Sequence, residues 1–178
     1  MRDSIYRFPK FDYGRVTFAT GFSLEEKFRL NYNLYSGQMD LIINDGDTTE
    51  MVRLREVMLV SIGNHLFYHD NNVGYIEIVH QSPVALGILK RLSTWATTLG
   101  SDIYYTKEEH YYFLDQKNKS YLASATSIQK LFDDQRKKIK AYLAENKIDF
   151  ENQSDLIKLL KFCDDLTKEN QSQVLIKE

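Results

Sequence analysis

Residues 27–52 read KFRLNYNLYSGQMDLIINDGDTTEMV, and the fold is decided there. Phe28, Leu30, Tyr32 and Leu34 alternate with Arg29, Asn31, Asn33 and Tyr35, the two-residue period of a half-buried strand. Ser36-Gly37 reverses the chain, Met39, Leu41 and Ile43 resume the period, and Asn44-Asp45-Gly46-Asp47 turns it again. The stretch predicts an antiparallel meander, each strand laid beside the one before. It carries no evident chemistry.

Toward the N-terminus, Phe8-Pro9-Lys10-Phe11 reads as an extended entry segment because Pro9 opposes helix. Residues 14–19 form the first strand, with Val16 and Phe18 on one face, and 20–26 a short connection. In the other direction, residues 50–54 lead into 57–62, a nearly continuous apolar run that predicts a central strand covered on both faces. Gly63-Asn64 is a hairpin signal before the strand 65–69, which Asp70-Asn71-Asn72 closes. Residues 75–79 follow, then a turn at Gln81-Ser82-Pro83 and a strand over 84–92.

Residues 93–109 hold Trp95, Gly100 and Tyr104-Tyr105 without a clear period and read as an irregular loop or lid, the natural place for a site. A last hairpin, 110–114 with 121–125, encloses the loop 115–119.

The period changes at Thr126. Thr126-Ser127-Ile128-Gln129 has capping-box spacing, and Ile128, Leu131, Phe132, Ile139, Tyr142 and Leu143 follow a helical stripe. Residues 146–150 break the helix, with Ile148 and Phe150 turned to the core. Asn152 or Ser154 caps a last helix striped by Leu156, Leu159, Leu160, Cys163 and Leu166. The reading is α+β: an antiparallel β-meander domain over 8–125, open or barrel-like, then a helical segment of two or three helices over 126–169 packed on the sheet, and a flexible polar tail over 170–178.

Composition narrows the function classes. A chain of 178 residues with 43% hydrophobic and 27% charged residues builds one ordinary globular core. Its Tyr 12 and Phe 10 favour sheets, where rings pack across strands. A net charge of -2 with dispersed Lys and Arg gives no drive toward nucleic acid. The run Arg136-Lys137-Lys138-Ile139-Lys140 follows Asp133-Asp134 and reads as a solvated helix face. No apolar run reaches the roughly 18–20 residues of a membrane span, and residues 1–6 lack a signal-peptide core. Cys163 stands alone in an apolar stripe, which excludes an internal disulfide and reads as core.

The chemical motifs are few. His65 and His69 share a strand face but stand about 13 Å apart, too far for one metal ion, so no metal or other cofactor is expected. Glu25-Glu26, Glu108-Glu109, Asp133-Asp134 and Asp164-Asp165 are adjacent pairs, which diverge on strand or helix. Phosphate loops, dinucleotide fingerprints and the Gly-x-Ser-x-Gly elbow are missing from the sequence.

Phe8-Pro9-Lys10-Phe11, Leu30-Asn31-Tyr32-Asn33-Leu34-Tyr35-Ser36-Gly37-Gln38-Met39, Lys147-Ile148-Asp149-Phe150 and Asp155-Leu156-Ile157-Lys158-Leu159-Leu160 together resemble a group of uncharacterised exported proteins of Gram-negative bacteria. The resemblance covers about residues 8–166. It implies a periplasmic or exported location after signal-peptide removal and transfers no catalytic residue.

Two functions from different classes follow. The first is a non-enzymatic envelope module that binds a protein or glycan through a sheet edge, the lid or exposed rings, with Trp95, Tyr104, Tyr105 and Tyr111 as candidate contacts. The alternative is a hydrolase with its site under the 93–109 loop, using Glu108 or Glu109 with His110.

Overall fold

A computed structural model describes residues 5–24, 28–45, 48–53, 57–96 and 103–175, with side chains for 5–24, 28–42, 57–94 and 105–168. Among the described residues eleven strands precede three α-helices. The strands are β1 (Asp12–Phe18), β2 (Ser23–Leu24), β3 (Arg29–Asn33), β4 (Gln38–Asp45), β5 (Thr48–Arg53), β6 (Val57–Ile62), β7 (His65–Asp70), β8 (Gly74–His80), β9 (Ala85–Ala96), β10 (Ile103–Leu114) and β11 (Ser120–Leu122). The helices are α1 (Ala125–Leu131), α2 (Arg136–Glu145) and α3 (Gln153–Leu175), with one 3-10 turn at Asp133–Gln135.

The mostly antiparallel sheet is open, in the order β11-β10-β9-β8-β7-β6-β1-β3-β4-β5, with β2 paired to β1. The predicted meander is present as two runs, β3 to β5 and β6 to β11, and β1 stands between them. Its start pairs with β3 (Asp12↔Leu30) and most of its length with β6 (Gly14↔Ile62 to Phe18↔Val57). A bulge lies in that second ladder, because Thr17 pairs with Leu59 and Phe18 with Val57. Met58 is the extra residue and is exposed, while Val57, Val60 and Ile62 are buried. The run 57–62 is therefore central in the sheet but not covered on both faces, as its apolar sequence had suggested.

The chain forms two compact units that interleave along the sequence, Met1–Ile78 with Leu89–Glu109, and Val79–Ile88 with His110–Glu178. The helices thus share a unit with strand ends rather than beginning a separate segment after residue 125. The first unit has a core of Leu30, Tyr32, Met39, Leu41, Val60, Phe67 and Tyr75. The Tyr32 ring sits 5.7 Å from Phe67 and 6.1 Å from Tyr75, and burial raises the pKa of both tyrosines. Burial likewise lowers that of His69, whose ring lies 4.5 Å from Tyr75.

The expected polar face of β3 is not solvated. Asn31 is 1% exposed because the entry segment covers it: its side chain accepts from the Phe8 N–H at 3.1 Å and donates to the carbonyls of Phe8 (2.9 Å) and Lys10 (3.2 Å). Pro9 has no N–H and keeps this stretch from helix, so a buried amide must complete its backbone bonding. Asn33 and Tyr6 both donate to Asp40 nearby, at 3.1 and 3.2 Å.

In the second unit Leu156, Leu159, Leu160, Cys163 and Leu166 of α3, with Ile128 and Ile139, pack against Val84, Leu86, Ile88, Tyr111 and Phe113. Ile148 and Phe150 join them, as expected, and Asn152 caps α3 by accepting from the N–H groups of Ser154 (2.9 Å) and Asp155 (3.2 Å). Three expectations need correction. Helix α1 is capped by Ser124 with Ser127, two residues before the predicted box, the two hydroxyls each accepting from the other residue's N–H. Helix α3 continues to Leu175, well into the expected tail. Residues 93–96 and 103–109 are strand rather than loop, the first completing β9 and the second belonging to β10. Residues 105–109 are all exposed, so no apolar alternation marks them as strand. The Gly46-Asp47 turn lies outside the described residues.

Gly14 is the tightest point of the first unit, since a Cβ there would overlap the Ser61 carbonyl and meet the Leu30 side chain at 2.8 Å. Gly14→Ala is expected to forfeit about 2–4 kcal/mol in urea unfolding, through separation of β1 from β6. Unchanged stability would remove that close approach from the account.

Candidate functional site

Glu77 gathers three basic side chains, Arg7, His65 and Lys90, in the first unit. Strand β8 carries it between β7 and β9 in the sheet order, and it is 4% exposed. Its Oε1 accepts from Arg7 Nη2 at 3.2 Å and contacts His65 Nδ1 at 2.7 Å. Its Oε2 accepts from Arg7 Nε at 3.0 Å and lies 3.5 Å from Lys90 Nζ. Burial pushes the carboxyl up, but the Arg7 hydrogen bonds, the Lys90 and Arg7 charges and the His65 hydrogen bond outweigh it and hold Glu77 below the usual carboxylate value. The Arg7 guanidinium also lies 5.0 Å from the Phe8 ring centre.

Arg7 and Lys90 open onto a cleft of about 290 Å³, lined also by Tyr6, Pro9, Leu34, Arg91, Lys107, Glu108 and Glu109. Arg91 is fixed by donating to the Val73 carbonyl. Its guanidinium passes Gly74, which is at φ 104 and where a Cβ would come within 3.0 Å of Nη2.

The predicted site residues do not gather in one place. Trp95 lies in β9 and Tyr104 in β10, with side chains outside the description. Tyr105 is exposed and meets Tyr35 edge-on, ring centres 6.2 Å apart. Tyr111 is buried in the core of the second unit, so it offers no ring to a ligand. Glu108 and Glu109 are exposed neighbours on β10 beside the first unit's cleft, and His110 is exposed in the second unit. Residues 93–96 and 103–109 of the expected lid are strand, and 97–102 lie outside the described residues. Among the described residues no three His, Cys, Asp or Glu side chains converge as metal ligands would. Burial, with the Asp164 charge, pushes the Cys163 thiol up to about 12, which makes it inert rather than nucleophilic.

A larger cleft, about 1140 Å³, lies within the second unit. The 81–84 turn, the 115–117 loop, Tyr121, residues 130–135 and the α3 face at Asp164, Thr167 and Lys168 line it. Two of its wall groups stand out. Gln135 is 7% exposed and makes no side-chain cap at the helix it precedes. Asp164 has one buried carboxyl oxygen without a hydrogen-bond partner. Burial raises its pKa, against the opposing charges of Lys168 and His80 and a Ser82 hydrogen bond, with Asp165 adding to the rise. Tyr121 is held between the Lys119 and Lys130 ammonium groups, 5.5 and 5.7 Å from its ring centre. The sequence did contain a sign of this cleft: Gln135 falls seven residues after Ile128 and four before Ile139, an amide on an apolar stripe.

Comparison with protein-family models, with curated proteins and with solved structures finds no match to this chain. Among the described residues no helix is long and apolar enough to cross a membrane.

Glu77→Gln leaves Arg7 and Lys90 without their shared anion. Because both are about a quarter exposed, the expected cost at neutral pH is about 1–3 kcal/mol, less than for a fully buried pair. The folded-state pKa of Glu77 is depressed, so its stabilisation is complete above the ordinary value of 4.5 and disappears as pH falls through the folded value. Urea melts from about pH 6 to about pH 3 should show this acid loss in the wild type and not in Glu77→Gln. The contribution of His69 begins to fall nearer 6.5 and should persist in both. Identical acid profiles for the two proteins would contradict the assignment.

Proposed function

We propose that this chain is a non-enzymatic binding module whose ligand occupies the cleft of the second unit. The observation that carries the reading is Asp164, whose carboxyl has one oxygen buried in the cleft wall without a hydrogen-bond partner. A buried oxygen left in that state costs about 1–3 kcal/mol, which a ligand offering its own N–H or O–H group recovers. The cleft presents both signs of charge, with Asp133, Asp134 and Asp164 among its lining residues beside Lys117, Lys130 and Lys168. Its volume suits a small molecule or a short oligomer segment. A binding role also agrees with Glu108, Glu109 and His110 being consecutive exposed residues of one strand, where neighbouring side chains point to opposite faces. A periplasmic or exported location belongs to the same proposal and rests on the motif resemblance alone.

A thermal-shift screen of N-acetylated sugars, short peptides and simple sugars tests the reading. A binder at a hundred times its Kd should stabilise the fold by about 2.7 kcal/mol. Asp164→Leu should keep the fold and lose the ligand-induced shift. If no compound of the screen shifts the wild type, or if Asp164→Leu keeps the full shift, the cleft is not the site.

A further inference from the structure

The cleft of the first unit has a different chemistry, and it rests on observations independent of Asp164. Four cations line it, Arg7, Lys90, Arg91 and Lys107, against two carboxylates, Glu108 and Glu109. The placement of two of the cations is prescribed by Glu77. Its two oxygens engage both Arg7 donors, His65 and Lys90. One carboxylate cancels one positive charge, so Arg7 and Lys90 together retain a surplus even with His65 neutral. Both side chains are about a quarter exposed, while Glu77 is nearly sealed. The anion is therefore interior and the remaining positive charge faces the cleft. Arg7 spends only Nε and Nη2 on Glu77, leaving guanidinium donors for a second planar anion. Lys107 adds a cation from β10 that makes no ion pair among the described residues.

We propose that the cleft formed by Arg7, Lys90, Arg91 and Lys107 binds a small carboxylate- or phosphate-bearing ligand. Glu77 acts there as a positioning residue, orienting Arg7 and Lys90 without touching the ligand. The volume of about 290 Å³ limits the occupant to a small organic anion. The exposed pair Tyr35 and Tyr105, one residue beyond Leu34 and two before Lys107, offers flat apolar surface for the body that carries the charge.

Titration of the full chain by calorimetry with inorganic phosphate and, separately, with citrate tests this, with glucose as the neutral control. Phosphate, citrate or both should bind, with affinity falling as salt is raised, and glucose should not. Phosphate alone would identify a phosphate ester as the ligand class, and citrate alone a polycarboxylate. Lys90→Gln and Lys107→Gln should each weaken binding about tenfold with an unchanged circular dichroism spectrum, and Asp164→Leu should leave it intact. Lys107 is exposed on β10, so its variant tests the site without disturbing the Glu77 cluster. Absence of binding by both anions, or equal affinity in wild type and Lys107→Gln, would overturn the proposal.

Discussion

A carboxylate that is 4% exposed must be matched by donors or it will not stay ionised, and Glu77 shows what that requirement imposes on the first unit. Its partners come from three separate places: the entry segment through Arg7, β7 through His65 and β9 through Lys90. None of these segments is next to another in sequence, yet each must arrive for the charge to be tolerated. Among the described residues the entry segment pairs with β3 only at the Tyr6↔Asn33 bridge, with backbone bonds from Arg7 N–H to the Tyr32 carbonyl and from Leu34 N–H to the Ile5 carbonyl. The Glu77 bonds to Arg7 and the Asn31 amide bonds to Phe8 and Lys10 hold the rest of it. Ion pair and amide therefore extend for this segment what a longer ladder does for the others.

The position of β1 has a kinetic side. It is made before β3 and β6 but lies between them in the sheet. Its longer ladder, from Gly14↔Ile62 onward, cannot form until β3, β4 and β5 have been passed. Contacts of such sequence separation carry a larger loop-closure cost than the hairpins on either side, and folding should be governed by that step. The bulge at Met58 sits in the same ladder, where the strand bends and an apolar side chain is turned outward.

Much of the local structure was legible because it depends on neighbours in sequence. Gly63-Asn64 gave a two-residue hairpin with the register Ile62↔His65, and the stripe from Leu156 to Leu166 gave the buried face of α3. What escaped depended on distant partners. Asn31 and Asn33 looked like a solvent face because nothing local reveals that residues 5–10 lie over them. The insertion of β1 was hidden because turn signals pair only consecutive strands. Residues 105–109 look like loop because both faces are polar, and backbone pairing alone makes them strand. The larger cleft is hidden for a related reason: tyrosine-rich runs point to rings, and Tyr111 is core. Gln135 was visible as a polar break in an apolar stripe, but its burial came only from the fold.

The sealed thiol of Cys163 has a practical consequence. As the sole cysteine, buried and pushed up to about 12, it leaves the native chain silent to maleimide and iodoacetamide dyes. A cysteine introduced at an exposed position such as Tyr35 or Lys117 becomes a single attachment point without any background mutation. Fluorescent or spin probes can then be set beside either cleft one at a time, while the buried sulfur serves as an internal gauge of global opening.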